Sequence, residues 1–126
     1  MTFDSEYEPF FQPPSWIIGP IWMILYTCLA ISFTNTLAKR DELGYPTIII
    51  LAFLIQLILN FAWPSVFNSE KYLTALFMII LMIIFTLIYA YLTYKVVPTA
   101  SILVWPYLAW ISFAAIINVA YYLEAN

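Results

Sequence analysis

Amides and aromatic rings recur in this chain at helical spacing, inside stretches that hold no Asp, Glu, Lys or Arg. Gln56, Asn60 and Trp63 follow at steps of four and three, and Tyr107, Trp110, Ala114 and Asn118 at steps of three, four and four. Trp22 and Tyr26 are four apart. Residues three or four apart share one face of an α-helix. An amide in hydrocarbon must find a partner, so these faces are expected to turn inward. Aromatic walls with a few fixed polar groups are the usual lining of a small-molecule pocket. The chemistry on offer is binding, by ring stacking and amide hydrogen bonds. Histidine, the commonest metal ligand and general base, is absent. Cys28 is the single cysteine, so no intramolecular disulfide can form. Ser, Thr and Tyr alone make no catalytic triad. No catalytic residue, metal site or required cofactor is expected, and the chain does not read as an enzyme.

The elements that must position these residues are set by charge. The uncharged stretches are 9–38, 43–69, 72–94 and 96–123. A membrane-spanning helix needs about 20 predominantly apolar residues. The chain is 65% hydrophobic and 9% charged, whereas soluble domains carry about 25% charged residues. The expected fold is all-α, a polytopic membrane helix bundle with four transmembrane helices at about 16–36, 46–63, 72–96 and 98–123. Pro46 and Pro98 suit first-turn positions. Pro64 is expected to interfere with the last turn of the second helix, and Pro106 to kink or locally widen the fourth. Barrel strands would alternate apolar and polar residues, but Phe77 to Phe85 is continuously apolar. Residues 1–126 read as one domain, with 1–15 as an extramembrane segment. No basic patch exists, which argues against nucleic acid as a partner.

Lys39 and Arg40 lie in the first loop, Lys71 in the second and Lys95 in the third. Placing the first and third loops in the cytoplasm puts three cations inside and one outside. Both termini then lie outside. This alternation brings Trp16, Gly19, Trp22, Asn60, Trp63 and Asn118 into one half of the bundle. Bland readings stand beside the pocket. Trp16 and Trp63 suit an interfacial aromatic belt. Trp22 and Trp110 are too deep for a belt, and both core packing and pocket walls remain open for them. Asn60 and Asn118 serve equally well as ties between helices.

Three motifs then carry a family resemblance. Residues 13–26 read Pro-Pro-Ser-Trp-x-x-Gly-Pro-x-Trp-x-x-Leu-Tyr. Residues 59–67 read Leu-Asn-Phe-Ala-Trp-Pro-x-x-Phe. Residues 106–118 read Pro-Tyr-Leu-Ala-Trp-x-x-Phe-Ala-x-x-x-Asn. Their order and content resemble the TspO/translocator protein family, also called tryptophan-rich sensory proteins. The resemblance implies a membrane receptor that binds porphyrins, and in some members sterols. Its pocket positions would be Trp22, Tyr26, Asn60, Trp63, Trp110 and Ala114, to which the spacing argument adds Tyr107 and Asn118. Pro13 and Pro14 would belong to a loop covering the pocket. The family's first helix finds no counterpart before Pro13, so a short form resembling helices two to five is expected. Where many members carry an acid in the third helix here, the region around Ile79 is apolar.

The first expectation is therefore a receptor or sensor for protoporphyrin IX or a similar flat apolar ligand. A sterol-like molecule is the other ligand the resemblance implies. A non-binding membrane scaffold subunit and a passive carrier of apolar ligands are the alternatives. Energised transport is disfavoured, because no ionisable group for coupling lies within the spans. The expected surroundings are the lipid bilayer, a bacterial inner membrane in the prokaryotic branch, with a homodimer as the assembly that would fill an open side.

Overall fold

The computed structural model describes residues 15–125. Five helices form four membrane-crossing segments: α1 (Ser15–Ala38), α2 (Pro46–Asn68), α3 (Tyr72–Thr93), α4 (Pro98–Leu103) and α5 (Trp105–Ala125). A 3-10 turn at Arg40–Glu42 links α1 to α2. α4 and α5 together make the fourth span, Pro98–Glu124. No strand occurs among the described residues. The described residues form an all-α integral membrane bundle of four long apolar helical spans.

The outside of the bundle is apolar. Met23, Ile24, Ile58, Phe61 and Phe77 are all exposed. Such a surface suits lipid tails. Lipid also removes the hydrophobic drive for helices to associate, which leaves van der Waals packing and interhelical hydrogen bonds to hold them together. α3 is central, packed against both α2 and α5, while α1 leans mainly on α4. Large rings carry α1 across to α2: Phe33 stacks on Phe53 with centroids 4.3 Å apart.

The ends of α2 and α3 differ from the sequence reading, and the distortion expected at Pro106 is present as a break in the fourth span. α2 does not stop at Trp63 but runs through Pro64 to Asn68. The proline removes one backbone donor. The extra turn buries Phe67, whose ring stacks on Trp63 at 4.8 Å. α3 ends as an assigned helix at Thr93 rather than near 96. The fourth span breaks at Val104, two residues before Pro106. A proline ring clashes with the carbonyl four residues back, here Ile102, so the distortion falls on the N-terminal side. The Val104 N–H turns to the Ser101 carbonyl at 3.4 Å.

The α2–α3 connection is a Schellman turn. The Lys71 N–H reaches the Val66 carbonyl at 3.3 Å, and the Glu70 N–H reaches the Phe67 carbonyl at 3.0 Å. This motif puts its C′ residue in the left-handed region, usually as glycine. Here that residue is Glu70, with φ 66°.

Candidate functional site

The inward faces of α1, α2 and α5 meet in a corner of rings. Trp22 stacks on Tyr26 one turn along α1, with centroids 5.3 Å apart. Across the bundle it meets Trp110 edge-on at 6.2 Å and 89°. Tyr107 also presents an edge to Trp22 at 6.4 Å. Edge-to-face pairs at such separations are favourable beyond the area they bury. Trp110 is half-buried, yet its Nε1 is buried without a hydrogen-bond partner.

Beneath the rings runs a chain of hydrogen bonds that ties three helices. The Tyr26 hydroxyl donates to Asn60 Oδ1 at 2.6 Å. Asn60 Nδ2 donates to the Tyr107 hydroxyl at 3.0 Å. Tyr107 in turn donates to Gln56 Oε1 at 2.6 Å. Gln56 and Asn60 lie one turn apart on α2, which is why one tyrosine from α5 can engage both. Gln56 Nε2 ends the chain without a partner.

A second cluster closes the bundle where α2 ends, α3 begins and α5 finishes. Trp63 Nε1 donates to Asn118 Oδ1 at 3.2 Å, and Asn118 Nδ2 donates to the Tyr72 carbonyl at 2.9 Å. That carbonyl lies at the first residue of α3. Phe67, Tyr72 and Tyr121 pack edge-on or tilted around it, with centroids 4.9 to 5.6 Å apart.

The opposite half of the bundle holds a third polar group. Tyr89 on α3 shares hydrogen bonds with Ser32 at 2.9 Å and Thr36 at 2.6 Å on α1. Ser32 also donates to the Ala100 carbonyl at 2.7 Å. That carbonyl is open to it because Val104 has turned to Ser101 at the helix break. Ser101 donates to the Ala90 carbonyl at 2.8 Å, tying α4 to α3. Among the described residues no group of three His, Cys, Asp or Glu could hold a metal ion.

This pattern of ringed and amide-bearing spans has known counterparts. The TspO/MBR family pattern matches residues 2–123. The chain belongs to the TspO/MBR family. It is 32% identical over 117 residues to the tryptophan-rich protein TspO of Chlorobaculum tepidum, covering 92% of this chain and 74% of that protein. It is 35% identical over 120 residues to the TspO protein of Archaeoglobus fulgidus, with the same coverages. The human translocator protein is 30% identical over 115 residues, covering 88% of this chain and 67% of its own length.

Within this TspO/MBR chain the sequence-predicted residues fall into two places. Trp22, Tyr26, Asn60, Tyr107 and Trp110 form the ring corner and its hydrogen-bonded base. Trp63 and Asn118 belong instead to the closing cluster, and Trp63 is buried there rather than standing in an interfacial belt. Ala114 lies between the two groups on α5, also buried. Trp16 is exposed at the start of α1, where a belt residue belongs. Pro13 and Pro14 lie outside the described residues. Sequence reasoning missed the Ser32–Thr36–Tyr89 cluster. The four-residue step from Ser32 to Thr36 was its visible signal, but hydroxyls can satisfy themselves on their own helix, so the step alone identifies no partner.

Proposed function

We propose that this TspO/MBR protein is a membrane receptor that holds a flat, apolar, acid-edged ligand, a porphyrin such as protoporphyrin IX, against Trp22, Tyr26 and Trp110. The single observation that carries this reading is the Trp110 indole N–H, buried without an acceptor while its ring meets Trp22 edge-on. An indole N–H only donates, and leaving a buried donor unmet costs about 1–3 kcal/mol. A ligand carboxylate or pyrrole nitrogen would supply the acceptor while the macrocycle covers the rings.

In this reading Trp22, Tyr26, Trp110 and Ala114 touch the ligand. Asn60 and Tyr107 keep the rings aligned, because their polar atoms already engage Tyr26, Gln56 and each other. Trp63 and Asn118 hold the three helix ends that fix the height of Ala114. Free-base porphyrin suits the site better than haem, since the chain has no histidine for the iron. The protein binds and does not catalyse. The cation count favours cytoplasmic α1–α2 and α3–α4 loops with both termini on the other face, and the prokaryotic members of the family suggest a bacterial inner membrane as the setting.

The test is a titration of purified protein in detergent with protoporphyrin IX, following tryptophan quenching and the porphyrin absorption band, beside Trp110→Leu. The expected result is saturable binding that weakens about tenfold or more in the variant, as loss of one stacked ring and one hydrogen bond implies. Absence of saturation, or equal binding by a well-folded variant, overturns the assignment and leaves a non-binding scaffold.

A further inference from the structure

A second concavity lies in the other half of the bundle, away from the ring corner. It is a cleft of about 380 Å³ between the end of α3 and the α4–α5 break, lined by Leu87, Ala90, Tyr91, Tyr94, Ser101 and Trp105. We infer that this cleft binds one acyl chain of an anionic phospholipid, with the phosphate held at its mouth by Lys95.

The cleft has the right orientation. Leu87, Ala90 and Tyr91 on α3 and Tyr94 just after it line one wall, and Leu87 lies six residues before Thr93, where the helix ends. At 1.5 Å per residue the wall descends roughly 9 Å from the helix end into the hydrocarbon. It also has the right lining. Ser101 turns its hydroxyl to the Ala90 carbonyl at 2.8 Å, so the floor's polar group is already occupied. Tyr91, Tyr94 and Trp105 stand around the opening, 81%, 63% and 51% exposed. Tyrosine and tryptophan rings favour the level where acyl chains meet headgroups.

Charge complementarity selects the occupant. Lys95 follows Tyr94 directly, and no acid occurs between Glu70 and Glu124 in the sequence. Asp41 and Glu42 stand at the same end of the bundle, in the α1–α2 loop beside Lys39 and Arg40. A phosphate supplies the partner that Lys95 lacks on its own loop. An interface with a second copy docked here about a two-fold axis would hold two Lys95 side chains and no acid from this loop, because such an interface is self-complementary.

Native mass spectrometry of the full chain in detergent tests this, with dioleoylphosphatidylglycerol and dioleoylphosphatidylcholine titrated separately. One tightly retained phosphatidylglycerol is expected, with phosphatidylcholine held more weakly. Lys95→Ala should weaken the anionic lipid about fivefold, the effect of one cation near a headgroup, and abolish the preference between the two lipids. Leu87→Trp, which fills the cleft from its exposed wall, should remove the retained lipid whatever its headgroup. A thermal melt of each variant confirms the fold. Equal retention of both lipids by the native chain, no effect of either substitution, or a dimer in place of the lipid adduct would each overturn the inference. Porphyrin binding should be unchanged in Lys95→Ala, so this site and the ring corner stand or fall separately.

Discussion

Tyr107 on α5 and Asn60 on α2 share a hydrogen bond of 3.0 Å, and both side chains are fully buried. Each also engages a further partner, Gln56 for Tyr107 and Tyr26 for Asn60. Tyr107→Phe strips the middle of this chain and leaves two amides short of a partner. Hydrogen bonds inside membranes average only about 0.6 kcal/mol, but orphaned buried groups cost about 1–3 kcal/mol. The expected loss is about 1–2 kcal/mol, read from thermal or denaturant unfolding in detergent. Adding Gln56→Leu, Asn60→Leu and Tyr26→Phe should recover most of it, because the Tyr26 hydroxyl donates to Asn60 and removing all four polar groups together leaves nothing unmet. A quadruple variant less stable than Tyr107→Phe would show that packing, not hydrogen bonding, sets the value.

Trp22 offers the ring corner both a stacking face and an edge for Trp110. Trp22→Phe keeps a ring in place but shortens the wall. Porphyrin affinity should fall about three- to tenfold, the range expected when part of one aromatic contact is lost. Helix content by circular dichroism should not change. Affinity equal to the native chain would remove Trp22 from the binding surface.

Glu70 occupies the left-handed C′ position of the α2–α3 turn, at φ 66°. A side chain there costs about 1–2 kcal/mol, while glycine gives back about 0.5–1 kcal/mol of that in chain entropy. Glu70→Gly should therefore stabilise the bundle by about 0.5–1 kcal/mol. Glu70→Val should destabilise it, since β-branched residues tolerate positive φ worst. Unfolding midpoints that move the opposite way for both variants would contradict the turn assignment.

Ser32 bonds the Ala100 carbonyl at 2.7 Å because the α4–α5 break leaves that carbonyl open. Ser32→Ala should cost about 1 kcal/mol. In a Pro106→Ala background a continuous helix can return the Val104 N–H to Ala100, so the same substitution should cost less. A double-mutant cycle measures this coupling. Strict additivity would mean that the break does not govern the carbonyl.

The spans and their inward faces were legible in the sequence for one reason. Charge is excluded from hydrocarbon and amides are excluded from its lipid-facing side, so both mark position directly. Trp22, Asn60, Tyr107 and Trp110 could be grouped from spacing alone. Which amide bonds which ring could not, because that depends on helix rotation. Asn118 thus met Trp63 and the Tyr72 backbone rather than the ring corner. Pro64 was misread because a proline's local cost was visible while the burial of Phe67 that offsets it was not. The Tyr89 cluster was hidden for a related reason. A backbone carbonyl is anonymous in sequence, and Ala100 becomes an acceptor for Ser32 only through a distortion caused six residues downstream by Pro106.

The bonds of α1 also carry an order of assembly. Its tyrosine finds Asn60 on α2, its serine and threonine find Tyr89 on α3, and its serine reaches a carbonyl on α4. Those partners are synthesised successively later. The first described span therefore enters the membrane with hydroxyls that gain their interhelical partners one by one, and it completes its set only when the last span has inserted and broken. A ribosome stalled before Pro98 would leave α1 loosely attached, a species that quality-control proteases in the membrane could tell from the finished bundle.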